Sequence, residues 1–136
     1  MAVVQWDDKY SVGLSAMDND HKQLFSILDS LYGMMADDVN DQEINTIIQA
    51  LLDYTHYHFS EEENVMQKMQ YPELAQHQEL HKKFIAQLEV YQQEATSEGM
   101  AIFVAVKIAN TGSQWLKDHI LVVDRKYQKF MEKQAS

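Results

Sequence analysis

Residues 44–66 read INTIIQALLDYTHYHFSEEENVM. Apolar residues recur there at intervals of three and four: Ile44, Ile47, Ile48 and Leu51. The same face then continues through Thr55, His58, Glu62 and Met66. A half-buried strand would alternate every second residue, so the spacing predicts one long amphipathic helix, over about residues 42–67. Its inner face carries two polar donors where core residues belong. Burying an ionised carboxylate without a partner costs several kcal/mol, so Glu62 on that face calls for a compensating cation.

The neighbouring segments repeat the pattern. Upstream, residues 1–17 read as an irregular arm with Trp6, Val12 and Leu14 as anchors. A first helix is predicted from near Asp18 to Asp20, where side-chain acceptors and negative charge suit a helix N-terminus. Its stripe reads His21, Leu24, Phe25, Leu28, Leu31, Tyr32 and Met35. Asp37 to Asp41 form a polar turn, with Asn40 or Asp41 as the next cap. Downstream, Tyr71-Pro72 marks a break, because proline suits the first turn of a new helix. A third helix over about 73–94 places Leu74, His77, His81, Phe84, Leu88 and Tyr91 on one face. Thr96 to Gly99 make the last turn, and a fourth helix spans about 100–132, with Gly112 as a weak point. Helices joined by such short turns alternate in direction. The expected fold is all-α: one domain over 1–136, an up-down-up-down antiparallel four-helix bundle over 18–132 behind its N-terminal arm.

Composition narrows the function. The chain has no cysteine, which removes thiolate metal sites, disulfides and cysteine catalysis. A net charge of −10 argues against nucleic acid, which needs a clustered positive surface. No signal peptide is visible, and no run approaches the roughly 18 apolar residues of a membrane span. A cytoplasmic monomer is the expectation. The eight methionines read as flexible core filler.

Five of the six histidines and two carboxylates stand at metal-ligand spacings: His21; His58 and Glu62; His77 and His81; His119 and Asp124. Seven nitrogen and oxygen donors are too many for one zinc. Imidazole and carboxylate without sulfur suit iron, manganese or zinc rather than calcium or magnesium. Two ferrous ions bring +4, and two carboxylates with one bridging hydroxide leave +1, a residue tolerable in a core. Asp124 follows His119 by five residues, which turns it about 140° away on an ideal helix. A π-type distortion or a long reach across the metal pair would bring it back. Glu61 and Glu63 read as a solvated face, and His56 lies off the ligand face.

The ordered blocks are specific: Trp6 with Ser11-Val12-Gly13, Asp18-x-x-His21-Lys22-x-Leu24-Phe25, and His58-Phe59-x-x-Glu62-Glu63-x-x-Met66. Tyr71-Pro72, His77-x-x-x-His81-x-x-Phe84 and Trp115-Leu116-x-x-His119-Ile120-x-x-x-Asp124-x-x-Tyr127 complete them. Together they resemble the single-domain bacterial hemerythrins over nearly the whole chain. The resemblance implies two iron ions with a bridging oxo or hydroxo group. His77, His81 and His119 would hold one iron, His21 and His58 the other, and Glu62 and Asp124 would bridge them. It further implies reversible dioxygen binding at the iron with fewer protein ligands, inside an apolar pocket of Phe59, Trp115, Leu116 and Ile120. The protein would then be no enzyme but would store or transport oxygen, or deliver it to an oxygen-using enzyme. An oxygen or redox sensor acting on a signalling partner is the first alternative. A di-iron oxidase or peroxidase is the second, disfavoured by histidine-rich ligation. Asp20 stands where the family often has Gln, Met17 where it often has Ile, and Asp29 where it often has Asn. Asp20 adjoins His21, and its effect is expected there.

Overall fold

The computed structural model describes residues 5–36 and 38–135, without the side chains of Met35 and Ala135. Asp37 and the Met35 side chain, named above for the first turn and the first stripe, lie outside the described residues, as do positions 1–4 of the arm. Among the described residues there are five α-helices: α1 (Ser15–Gly33), α2 (Asp41–Lys68), α3 (Leu74–Ala95), α4 (Ala101–Asp118) and α5 (Arg125–Ala135). A π-helical segment, His119–Asp124, joins α4 to α5 without a break, so the last three pieces form one rod. α1 packs on α2 and α4, and α3 packs on the same two. Four rods closed in this way by short turns make the antiparallel bundle. No strand occurs among the described residues.

Alternation of direction decides where the donors meet. The first half of α1, the second half of α2, the first half of α3 and the π segment of the fourth rod all lie towards one end of the bundle. His21, His58, Glu62, His77, His81, His119 and Asp124 are therefore gathered there, each at most 5% exposed. The opposite end is apolar: Leu31, Ile44, Ile48, Ala101, Val104, Ala105 and Ile108 are all buried there. Each buried leucine, isoleucine or valine of this set contributes about 1.5–3 kcal/mol relative to exposure.

Three local features differ from the sequence expectations. α1 begins at Ser15, ahead of Asp18, and its N-terminal Leu14 offers no side-chain cap. Asp18 is occupied elsewhere. It accepts from the Ser11 hydroxyl at 2.6 Å and from the Val12 amide at 2.9 Å, tying the arm to the first turn. The arm anchors are otherwise as expected: Val12 is fully buried, Leu14 packs on the core, and Trp6 lies against Tyr10 and Phe25. Gly112 is no weak point. It is buried inside an unbroken helix, and a Cβ there would stand 3.1 Å from Leu28 Cδ2, so glycine permits close approach of α1 and α4. The last rod also continues to Ala135, past the expected end.

The remaining punctuation follows side-chain chemistry. Asn40 caps α2 by accepting from the Glu43 amide at 2.8 Å, while its own amide reaches Glu43 Oε1. α2 ends where Gln70 adopts φ +57°. The Tyr71 amide then donates to the Met66 carbonyl at 3.0 Å, the six-to-one bond of a Schellman turn, and Pro72 follows.

Candidate metal centre

On α2, His58 and Glu62 are one turn apart, and on α3 so are His77 and His81, so each pair projects from one face. On the last rod the π segment does the same for His119 and Asp124. Its wider turn, with i→i+5 bonding, returns Asp124 to the His119 face, and Asp124 is fully buried. Of the two routes open from sequence, the backbone takes the distortion.

The seven side chains form two groups that share a carboxylate. Glu62, His77, His81, His119 and Asp124 make one, and His21, His58 and Glu62 make the other. In the first group, His77 Nε2 lies 3.0 Å from His119 Nε2 and 3.2 Å from Glu62 Oε1. His81 Nε2 lies 3.2 Å from His119 Nε2 and 3.1 Å from Glu62 Oε1. Asp124 Oδ1 is 3.0 Å from both His77 Nε2 and His119 Nε2. An octahedral centre with bonds of about 2.1 Å separates adjacent donors by about 3.0 Å, so these edges fit a single ion.

The other oxygens serve the other group. Glu62 Oε2 is 3.6 Å from the Nε2 atoms of both His21 and His58, and Asp124 Oδ2 is 3.4 Å from His21 Nε2. Each carboxylate thus turns one oxygen to two histidines of the first group and its second oxygen to the other group, Glu62 to both His21 and His58 and Asp124 to His21. Both Asp124 oxygens and His21 Nε2 are buried without a hydrogen bond despite these short distances. Close approach without hydrogen-bond alignment is what lone pairs aimed at a common point produce. The residues fit a pair of cations.

Without cations, protons take part of that role. Burial pushes the His77 imidazole down, but the Asp124 and Glu62 carboxylates beside it push it up to about 9. Burial likewise raises Glu62, yet the His21, His77, His81 and His58 imidazoles around it hold it well below the usual carboxylate range. Asp124 is lowered too: burial and the Glu62 charge oppose this, and His119 outweighs them.

A ring of outer partners sets the orientation of the inward imidazoles and of Glu62. His81 Nδ1 is 2.7 Å from Glu63 Oε2, and His58 Nδ1 is 3.0 Å from Asp20 Oδ2. A carboxylate only accepts, so each Nδ1 carries the proton and each Nε2 turns its lone pair inward. The Tyr127 hydroxyl donates to Glu62 Oε2 at 3.0 Å. Glu63 therefore corrects the sequence reading: it is no solvated bystander but sits half-buried between α2 and α3. Asp20 makes its hydrogen-bond contact across the helices with His58, and meets its neighbour His21 through charge alone. One residue round the helix from a ligand is the boundary position facing the next rod, and that was the available signal for Glu63.

The four expected pocket residues surround the centre unevenly. Phe59 stacks flat on His81, with centroids 3.7 Å apart and planes at 4°. Trp115 stacks on His119 at 4.4 Å and on Phe84 at 3.9 Å. Leu116 and Ile120 are buried. His56 is exposed, in line with its position off the ligand face.

Comparison with known proteins agrees with this geometry. Residues 12–130 match the family model described as the hemerythrin HHE cation binding domain. A bacteriohemerythrin of Clostridium acetobutylicum is 31% identical over 132 residues, covering 90% of this chain and 96% of that protein. A myohemerythrin of Sipunculus nudus is 28% identical, covering 90% of this chain and 89% of its own length. A crystal structure of wild-type hemerythrin superposes with a TM-score of 0.83 at 28% identity, over 94% of this chain and 97% of that one.

Proposed function

The chain belongs to the hemerythrin family, whose members bind oxygen at non-haem iron, and from that premise we propose reversible dioxygen binding at a di-iron centre. The two irons, with an oxo or hydroxo bridge, would be held by His77, His81 and His119 on one side and by His21 and His58 on the other. Glu62 and Asp124 would span them. The observation that carries this reading is the divided carboxylates: both present one oxygen to each histidine group. A ferrous pair in such a setting supplies reversible electron donation to dioxygen.

The protein's own part is arrangement and exclusion. Three imidazoles on one side and two on the other leave the second side a donor short, the natural place for an exogenous ligand. Glu63 and Asp20 hold the outer protons of His81 and His58, so those rings cannot turn their lone pairs away. Tyr127 keeps the shared carboxylate of Glu62 in place. Phe59, Trp115, Leu116 and Ile120 would make the pocket wall, keeping water and protons from the bound ligand. No helix among the described residues is long and apolar enough to cross a membrane. The role we assign is storage, transport or delivery of oxygen to an oxygen-using enzyme, a binding activity rather than turnover.

Iron content and air cycling test this. Purified protein should hold about two irons per chain, be pale when reduced without air, gain a visible charge-transfer band in air, and lose it on deoxygenation. Any other iron content, or a band that never reverses, overturns the reading.

A further inference from the structure

Two ligand imidazoles have an anionic partner, and they belong to different sides of the centre. Glu63 reaches His81 among the three histidines, at 2.7 Å, and Asp20 reaches His58 of the pair, at 3.0 Å. Neither carboxylate is free to swing. Gln78 donates to Glu63 Oε1 at 3.2 Å, and the Tyr54 hydroxyl donates to Asp20 Oδ1 at 3.0 Å. By contrast, the Nδ1 atoms of His21 and His77 are buried without a hydrogen-bond partner. The outer carboxylates are themselves partly solvated, at 26% and 14% side-chain exposure. They can therefore carry charge where the enclosed Glu62 and Asp124 need compensation.

We propose that Asp20 and Glu63 are a matched pair of positioning residues, one for each metal position, and that Asp20, braced by Tyr54, sets the donor strength of His58 on the two-histidine side. The inference rests on the two-metal reading above. A negative partner on Nδ1–H gives the imidazole more anionic character and makes Nε2 a stronger donor. On the side short of a histidine, the charge on Asp20 compensates for the missing ligand. It also favours the oxidised metal, because a stronger donor stabilises higher charge. Tyr54 holds the carboxylate in the plane from which it meets His58.

The test uses full-length protein in two metal forms. In the zinc-loaded, diamagnetic form, the Nδ1 proton resonances of the histidines report each hydrogen bond separately. Asp20→Asn should move the His58 signal and leave that of His81, while Glu63→Gln should do the reverse. In the ferrous form under argon, Asp20→Asn should shorten the half-time of iron loss to a chelator roughly tenfold, the lower end for outer partners of metal ligands. The reduction potential should move in the positive direction. Tyr54→Phe, which keeps the carboxylate, should shift the same His58 signal by less and guards against a variant that fails to fold. An unmoved His58 resonance with unchanged iron retention in Asp20→Asn overturns the inference, as does an identical response to both carboxylate variants. Metal content of the parent separates the two readings: other than two ions per chain defeats the site, whereas two ions with a silent Asp20→Asn defeats only the pairing.

Discussion

Tyr127 and Glu62 are joined by a buried hydrogen bond of 3.0 Å between the last rod and the second helix, and neither residue has any exposed surface. Among the described residues the phenol is the one hydrogen-bond donor to this oxygen, which also faces His21 and His58. Burial, together with the charges of Glu62 and Asp124, pushes the tyrosine well above its ordinary pKa, so it stays a donor. Tyr127→Phe should lower the stability of the metal-free protein by about 1.5–3 kcal/mol, the range for hydrogen bonds to charged groups. Urea unfolding measures it, and an unchanged midpoint would show that the bond contributes nothing.

Metal-free protein should be most stable in a narrow acidic window. Glu62 ionises well below its usual 4.5 in the folded state, so its contribution is full above that value and is lost as pH falls through the lowered one. His77 is raised from 6.5 to about 9. Its contribution is full below 6.5 and is lost as pH rises through about 9. Thermal midpoints of chelator-stripped protein should therefore plateau between about 4.5 and 6.5 and fall on both sides. On the proposed reading a metal would replace the proton on His77, so the alkaline decline should vanish in loaded protein.

Gly112→Ala should destabilise despite the better helix propensity of alanine. Propensity favours the change by about 1 kcal/mol. The new methyl, however, meets Leu28 Cδ2 at 3.1 Å, and Leu28 is only 2% exposed, so it has little room to retreat. Overpacking of this kind costs about 1–3 kcal/mol. The net loss should be on the order of 1 kcal/mol in chemical denaturation, and a gain would show that α1 and α4 can part without cost.

Gln70→Gly should stabilise. A left-handed backbone costs a residue with a Cβ roughly 1–2 kcal/mol, and glycine removes that strain while giving back part of it in unfolded-chain entropy. A rise in the melting midpoint is expected, with the Schellman bond from Tyr71 to Met66 kept. A fall would mean that the Gln70 side chain contributes more than its backbone strain.

The rods and four inward histidine positions, with Glu62, were legible because one rule, a three-and-four spacing, governs both core packing and paired donors. His119 with Asp124 was harder. A gap of five contradicts ideal helix geometry, and only the resemblance favoured the pairing; nothing local in HILVVD announces a π turn. Gly112 was misread for a related reason: glycine weakens an isolated helix, and only a neighbouring rod shows why it is there. Asp20 and Glu63 were hidden because they act across helices. Their partners lie 38 and 18 residues away, and no periodicity along one rod encodes that.

The gathering of every donor at one end of the bundle has a consequence for biogenesis. The opposite end, built from Leu31, Ile44, Ile48, Val104 and Ile108, asks for no ion and supplies ordinary hydrophobic cohesion. It can close first and hold the four rods in register. On the proposed reading the polypeptide would then offer its metal ions a preformed receptacle rather than a disordered chain, and maturation would be a filling step that follows folding instead of driving it.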